Sequence, residues 1–67
     1  MAHKNSHEWL WAQLDRFIQS GDLVEFGDGY CTIYRTTPDG RGRLGHTGRM
    51  KDPRGAFLEA MKVVDES

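Results

Sequence analysis

Residues 22–36, DLVEFGDGYCTIYRT, decide the fold because they predict a β-hairpin in a defined register. Asp28-Gly29 is a strong signal for a two-residue turn between antiparallel strands. A turn at this position gives both strands the same apolar face, which is the consistency expected of a correct register. On that inner face the predicted pairs are Phe26 with Cys31, Val24 with Ile33, and Asp22 with Arg35. On the other face they are Gly27 with Tyr30, Glu25 with Thr32, and Leu23 with Tyr34.

A second turn signal, Thr37-Pro38-Asp39-Gly40, predicts a third strand over residues 41–49. Proline suits the first central position of a type I turn, and the glycine suits the bulge residue that follows. Counting back from this loop, the predicted pairs are Thr37 with Arg41, Tyr34 with Leu44, Ile33 with Gly45, Thr32 with His46, and Tyr30 with Gly48. The third strand is then a glycine-rich edge strand, and the glycine opposite Ile33 leaves room for a helix to approach closely.

The residues before the hairpin predict a first helix from about residue 6 to residue 20. Asn5 is a favourable N-cap, Glu8 completes a capping box, and Gly21 suits a left-handed C-terminal cap. The apolar residues recur at three-to-four spacing and predict one buried stripe. Its members are Leu10, Trp11, Leu14, Phe17 and Ile18. Trp9 lies roughly 140° from the centre of this stripe, on the opposite side of the helix.

The residues after the third strand predict a second helix, with Asp52 as N-cap and Pro53 as the first helical position. Its predicted apolar stripe consists of Ala56, Phe57, Ala60, Met61 and Val64. The order α-β-β-β-α predicts an α+β fold, a two-layer sandwich in which a three-stranded antiparallel meander carries both helices on one face. We interpret residues 1–67 as a single domain, with frayed ends at about residues 1–4 and 66–67.

Composition and charge limit the class of protein. The chain has 67 residues, is 37% hydrophobic and carries a net charge of −1. It is not compositionally disordered, and no apolar run reaches the ~20 residues that span a bilayer. One lone cysteine and an N-terminus without an apolar leader predict a cytoplasmic location. Residues 35–54 are basic, with six Lys and Arg against two Asp, and such a block suits phosphates, an acidic protein surface or simple solvation.

The outer sheet face, which no remaining element covers, is the predicted partner-binding site. Tyrosine offers a large contact area with a polar tip, although aromatic cross-strand packing also explains tyrosines on a sheet. Trp9 is either a further aromatic contact or an extension of the core. Arginines of the second hairpin add positive charge. The candidate partner-binding residues are Trp9, Tyr30, Tyr34, Leu44, His46, Arg41, Arg43 and Arg49.

The sequence predicts no catalytic residue, no metal site and no cofactor. Cys31 and His46 are the available nucleophile and base, but the predicted register places them on opposite faces of the sheet. His3 and His7 are four residues apart without a full set of metal ligands. The chain is therefore predicted not to be an enzyme.

The element order resembles that of the double-stranded-RNA-binding domain over nearly the whole chain. That family has a basic cluster at the start of its second helix and a Pro-His element in its first strand loop. Here only Lys51 and Arg54 are basic near the helix start, and the loop at 27–29 is Gly-Asp-Gly. No RNA-contacting residue is carried over.

In its size and its lack of a catalytic motif, the chain also resembles small phage and mobile-element proteins that disable host defences, such as anti-CRISPR proteins. The resemblance implies a binding role. We expect an interaction protein that binds and sterically blocks or adapts a host protein or ribonucleoprotein complex. The alternative is a nucleic-acid-binding domain that uses the Arg- and Tyr-rich hairpin. Self-association through the outer face or edge strand is a third possibility, so we expect a monomer or homodimer without a membrane partner.

Overall fold

The computed structural model describes His3 and residues 6–66 and confirms the predicted α+β fold. The elements are α1 (His7–Gln19), β1 (Leu23–Gly27), β2 (Tyr30–Thr36), β3 (Arg43–Arg49) and α2 (Pro53–Glu66). The three strands form one antiparallel sheet in the order β1-β2-β3. The predicted fraying at residues 1, 2, 4 and 67 lies outside the described residues, whereas residue 66 is the last residue of α2.

Helix α1 is capped at both ends by local sequence. Its N-cap is Ser6, whose side-chain oxygen accepts a hydrogen bond from the Trp9 backbone N–H. The predicted cap, Asn5, lies outside the described residues. At the other end Gly21 has φ +87°, as predicted, and donates its N–H to the carbonyl of Ile18. Asp22 donates its N–H to the carbonyl of Phe17, which completes a Schellman motif and turns the chain into β1.

The first hairpin has the predicted register at every pair, from Gly27 opposite Tyr30 to Leu23 opposite Tyr34. Just beyond it, Arg35 Nε lies 3.2 Å from Asp22 Oδ2. The Asp22 side chain is only 5% exposed, and its Oδ2 atom accepts no well-directed hydrogen bond. Arg35 and Asp22 are therefore close enough to form an ion pair, but the Arg35 Nε–H does not point at the Asp22 Oδ2 atom.

The second hairpin differs from the prediction by one residue. Thr37 donates its backbone N–H to the carbonyl of Gly42 at 3.0 Å, so the loop has four residues rather than three. The Asp39 carboxylate closes this loop by accepting hydrogen bonds from the Thr37 hydroxyl and from the Arg41 N–H. These two bonds lower the pKa of Asp39, the hydroxyl contact having the larger effect.

The one-residue shift moves every β3 side chain to the face opposite the predicted one, because successive residues of a strand point to opposite faces of the sheet. The observed pairs are Tyr30 with Arg49, Cys31 with Gly48, Thr32 with Thr47, Ile33 with His46, Tyr34 with Gly45, and Arg35 with Leu44. Gly48, and not Gly45, is thus the glycine that faces a helix. A Cβ at Gly48 would lie 2.3 Å from backbone atoms of both Ala56 and Ala60 of α2.

The core lies between the inner sheet face and the two helices. Its buried apolar members are Leu10, Phe17, Cys31, Ile33, Ala56, Phe57, Ala60 and Val64. Helix α2 begins at Pro53 as predicted, and its apolar stripe covers β2 and β3. Helix α1 packs along β1, at the edge of the sheet.

Helix α1 is rotated by about 60° from the predicted orientation, given 100° per residue. Trp9 is half-buried and packs against the core, while Trp11 and Ile18 are each 55% exposed. The prediction that Trp11 and Ile18 belong to the buried stripe is therefore wrong. Because α1 lies at the sheet edge, the side that carries Trp9 turns toward the core.

Candidate functional site

The outer face of the sheet is the side opposite both helices. We define it by the side chains that alternate with the core residues along the three strands. They are Leu23, Glu25, Tyr30, Thr32, Tyr34, Thr36, Arg43, Thr47 and Arg49. This surface contains four of the eight predicted partner-binding residues.

Tyr30 and Tyr34 both lie on β2, and their half-buried rings extend over the neighbouring strands. A Cβ placed on Gly27 would meet Tyr30 Cε1 at 2.0 Å, and one on Gly45 would meet Tyr34 Cε1 at 3.1 Å. Each ring therefore covers a glycine backbone, Tyr30 toward β1 and Tyr34 toward β3. Packing of this kind restricts the rotamers of both rings, and restricted side chains lose less entropy on binding than free ones do.

At the centre of the outer face, two threonine hydroxyl groups form a hydrogen bond. Thr32 is only 5% exposed, and its Oγ1 lies 2.8 Å from Oγ1 of Thr47 on the neighbouring strand. One hydroxyl donates to the other, so the polar atoms at the centre satisfy each other. Tyr30 and Tyr34 lie two residues before and two residues after Thr32 on β2, on the same face of the sheet.

The outer face is positive along β3 and negative along β1. Arg49 lies directly opposite Tyr30, and Arg43 begins the same strand; both are exposed. On β1, Glu25 accepts a hydrogen bond from the Tyr30 hydroxyl at 3.4 Å. The negative charge of Glu25 raises the pKa of Tyr30, with smaller contributions from burial and from the hydrogen bond. Among the described residues the sole ion pair is Asp22 with Arg35, so the β3 arginines have no carboxylate partner.

The other predicted partner-binding residues lie elsewhere. The prediction that Leu44 and His46 are on the outer face is wrong, because the register shift moves both to the inner face. His46 is 8% exposed, whereas Leu44 is 58% exposed because it lies beyond the core. Trp9 packs against the core, as the alternative interpretation proposed, and Arg41 lies in the exposed loop before β3.

An apolar groove that the sequence did not reveal runs between α1 and the start of α2. It has a volume of about 460 Å³. Its apolar lining comprises Leu10, Trp11, Leu14, Phe26, Pro53 and Phe57. The Trp11 indole N–H donates to His7 Nε2 at 2.8 Å, which fixes the ring at one wall. Only the rotation of α1 exposes Trp11, and nothing in the helical spacing predicts that rotation.

Cys31 and His46 lie on the same face, contrary to the prediction. Cys31 pairs with Gly48 and His46 with Ile33, so both side chains point toward the core. Cys31 is fully buried, and burial raises its pKa to about 11. Because the thiolate is the nucleophilic form, this environment works against an activated cysteine.

We expect Cys31 to react with a disulfide reagent at pH 8 at least about a hundredfold more slowly in the folded protein than in urea. A thiol with a pKa near 11 is about a hundredfold less ionised at this pH than one near 9, and burial blocks access as well. The folded pKa is raised, so its contribution to stability is complete below about pH 9 and is lost as pH rises toward 11. Equal rates in buffer and in urea would contradict the expectation, and Cys31→Ala should lack this part of the alkaline decline.

Within the described residues, no three side chains of His, Cys, Asp or Glu are grouped so as to hold a metal ion. In the same part of the chain, neither helix has the length and apolarity needed to cross a membrane. No protein-family model, curated protein or solved structure matches the chain.

Proposed function

We propose that this protein is a non-enzymatic interaction module that binds a larger partner through its outer sheet face. One observation carries the proposal: Tyr30 and Tyr34 are held over glycine backbone on a sheet face opposite both helices, with Arg49 opposite Tyr30. Tyrosine and arginine are the residue types that dominate protein-binding hot spots. Its proposed mode of action is occupation of a partner's surface, and Cys31, buried with a pKa raised to about 11, supplies no activated nucleophile.

The partner class that fits is a host protein or ribonucleoprotein complex whose exposed surface is acidic. Arg41, Arg43 and Arg49 supply positive charge along one side of the site without carboxylate partners among the described residues. Positive charge of this kind raises the rate of association with a negatively charged partner and disfavours positively charged ones. Steric blocking or adapting of that complex, as small anti-defence proteins do, requires only this surface and a rigid scaffold.

Tyr34→Ala is expected to weaken partner binding by about 1–3 kcal/mol, because truncation removes an ordered aromatic anchor. The experiment is a pull-down from bacterial lysate with tagged protein, with and without nuclease, followed by titration of the captured partner. Tyr34→Phe, which keeps the ring, and Lys62→Ala, on the exposed side of α2, are the matched controls. A folded Tyr34→Ala variant with wild-type affinity would refute the proposal.

Binding of single-stranded nucleic acid is the second candidate function. It is favoured by the position of Arg49 beside Tyr30, since bases stack on aromatic rings while arginines contact phosphates. Its signature is an affinity for oligothymidylate that falls steeply with added salt. Recovery of nucleic acid alone in the pull-down, lost after nuclease treatment, would favour this function over the first.

A further inference from the structure

Within the part of the chain that the structure describes, the edge of β3 away from β2 carries an alternating set of backbone groups that pair with no other strand. The ladder with β2 includes the bond from Thr37 N–H to Gly42 C=O at one end, and from Met50 N–H to Gly29 C=O at the other. Both bonds join residues directly opposite each other in the register. In an antiparallel ladder, even-numbered β3 residues therefore face β2, and the N–H and C=O groups of odd-numbered residues point away from it.

The odd-numbered residues are Arg43, Gly45, Thr47 and Arg49, and all four are exposed. Among the described residues, β3 pairs with β2 only. Helix α2 covers β3 from the inner face, where it buries His46 and Gly48. It leaves the residues with outward backbone groups accessible.

The charges on this edge disfavour pairing with a second copy of the chain. A full antiparallel pair of two β3 strands would place Arg43 of each copy opposite Arg49 of the other. Like charges directly opposite each other are destabilising in a sheet, and such arginines are a known protection of edge strands. The same two arginines, at the two ends of the edge, complement carboxylates at the same spacing.

We propose that the β3 edge accepts an extended segment of the partner protein as a fourth strand, with acidic residues opposite Arg43 and Arg49. Main-chain hydrogen bonds to the four outward residues supply affinity, and the two acidic side chains supply register and selectivity. Gly45 and Thr47, between the arginines, present little side-chain bulk to the added strand. This inference rests on the proposed function and names how the partner docks beside the tyrosines.

The test uses a capped heptapeptide, ETTVTTE, whose two glutamates have the same six-residue separation as Arg43 and Arg49. The peptide is titrated into isotopically labelled protein and followed by nuclear magnetic resonance. We expect saturable shifts of the amide protons of the outward residues, Arg43, Gly45, Thr47 and Arg49, with the inward residues of β3 changing less. The matched peptide KTTVTTK should bind at least about five-fold more weakly.

Three variants separate the contribution of the backbone hydrogen bonds from that of the charges. Thr47→Pro removes an outward N–H and the hydroxyl that bonds Thr32, whereas Thr47→Val removes the hydroxyl alone. Peptide binding should be lost in the first and retained in the second. If Thr47→Pro fails to fold, the double variant Arg43→Glu with Arg49→Glu decides, because it should reverse the preference between the two peptides.

The remaining outcomes count against the inference. Absence of amide shifts at the edge, or equal binding of both peptides, overturns it. Shifts confined to the Tyr30 and Tyr34 rings overturn strand addition but leave the outer face as a binding surface. If oligothymidylate shifts the β3 amide signals and neither peptide does, the edge binds nucleic acid and not a protein strand, which also overturns the inference. Failure of the proposed function would be seen separately, as wild-type partner affinity in Tyr34→Ala.

Discussion

Gly48→Ala is expected to remove most of the free energy of unfolding, because the added methyl group has no room between β3 and α2. Its Cβ would lie 2.3 Å from the carbonyl oxygen of Ala56 and 2.3 Å from the backbone nitrogen of Ala60. Both are backbone atoms within α2, so relief requires the whole helix to move away from the sheet. Overpacking commonly costs 1–3 kcal/mol, and we expect about 3 kcal/mol here. Domains of this size rarely have more than about 3–5 kcal/mol in total.

Two other glycines near β3 provide graded controls. A Cβ at Gly42 meets nothing within 4 Å, and Gly42→Ala should therefore leave stability nearly unchanged. At Gly45 the nearest atom is 3.1 Å away and belongs to the Tyr34 side chain, which can shift, so Gly45→Ala should have an intermediate effect. Urea unfolding followed by far-ultraviolet circular dichroism measures all three. A Gly48→Ala midpoint equal to that of Gly42→Ala would show that the helix does not approach this closely.

The contrast between the two hairpins shows what local sequence determines. Asp28-Gly29 permits one short loop, and the register of β1 with β2 follows from it. After Pro38, by contrast, either a three- or a four-residue loop is compatible with the sequence. In the four-residue loop the Thr37 hydroxyl and the Arg41 N–H both donate to the Asp39 carboxylate, and the turn residues alone do not predict these contacts.

This one-residue difference also explains which site residues were predictable. Tyr30 and Tyr34 lie on β2, whose orientation the first hairpin determines, and their position is confirmed. Leu44 and His46 lie on β3 and moved to the inner face with the shift. Arg43 is a candidate because of its charge and not because of its register, and the observed pairing with Thr36 places it on the same face as the tyrosines.

Helix α1 illustrates a second limit. Two tryptophans flank Leu10, so the apolar pattern is nearly as wide as half the helix and does not single out one orientation. The position of α1 along β1 decides the orientation, and this is a tertiary effect. The groove beside Trp11 could not be predicted for the same reason.

Phe57→Ala is expected to destabilise the protein by about 3–5 kcal/mol, which is the range for deleting a buried phenylalanine ring. Phe57 is 3% exposed and joins three elements. Its ring centroid lies 6.2 Å from that of Phe17 in α1 and 6.1 Å from that of Phe26 in β1. The edge-to-face contact with Phe17 links the two helices through the core, so truncation leaves a cavity where α1, β1 and α2 meet.

The two tryptophans of the chain, Trp9 and Trp11, both lie in α1, so their fluorescence reports on this helix. If Phe57 is what holds α1 against the sheet, Phe57→Ala should change the tryptophan emission in buffer, and Phe57→Leu should restore most of the native signal. Trp11→Ala is the control for the loss of an exposed aromatic side chain, because Trp11 is 55% exposed and its removal should lower the free energy of unfolding far less. Native emission and an unchanged urea midpoint in Phe57→Ala would mean that α1 is held by its other core residues, Leu10 and Leu14.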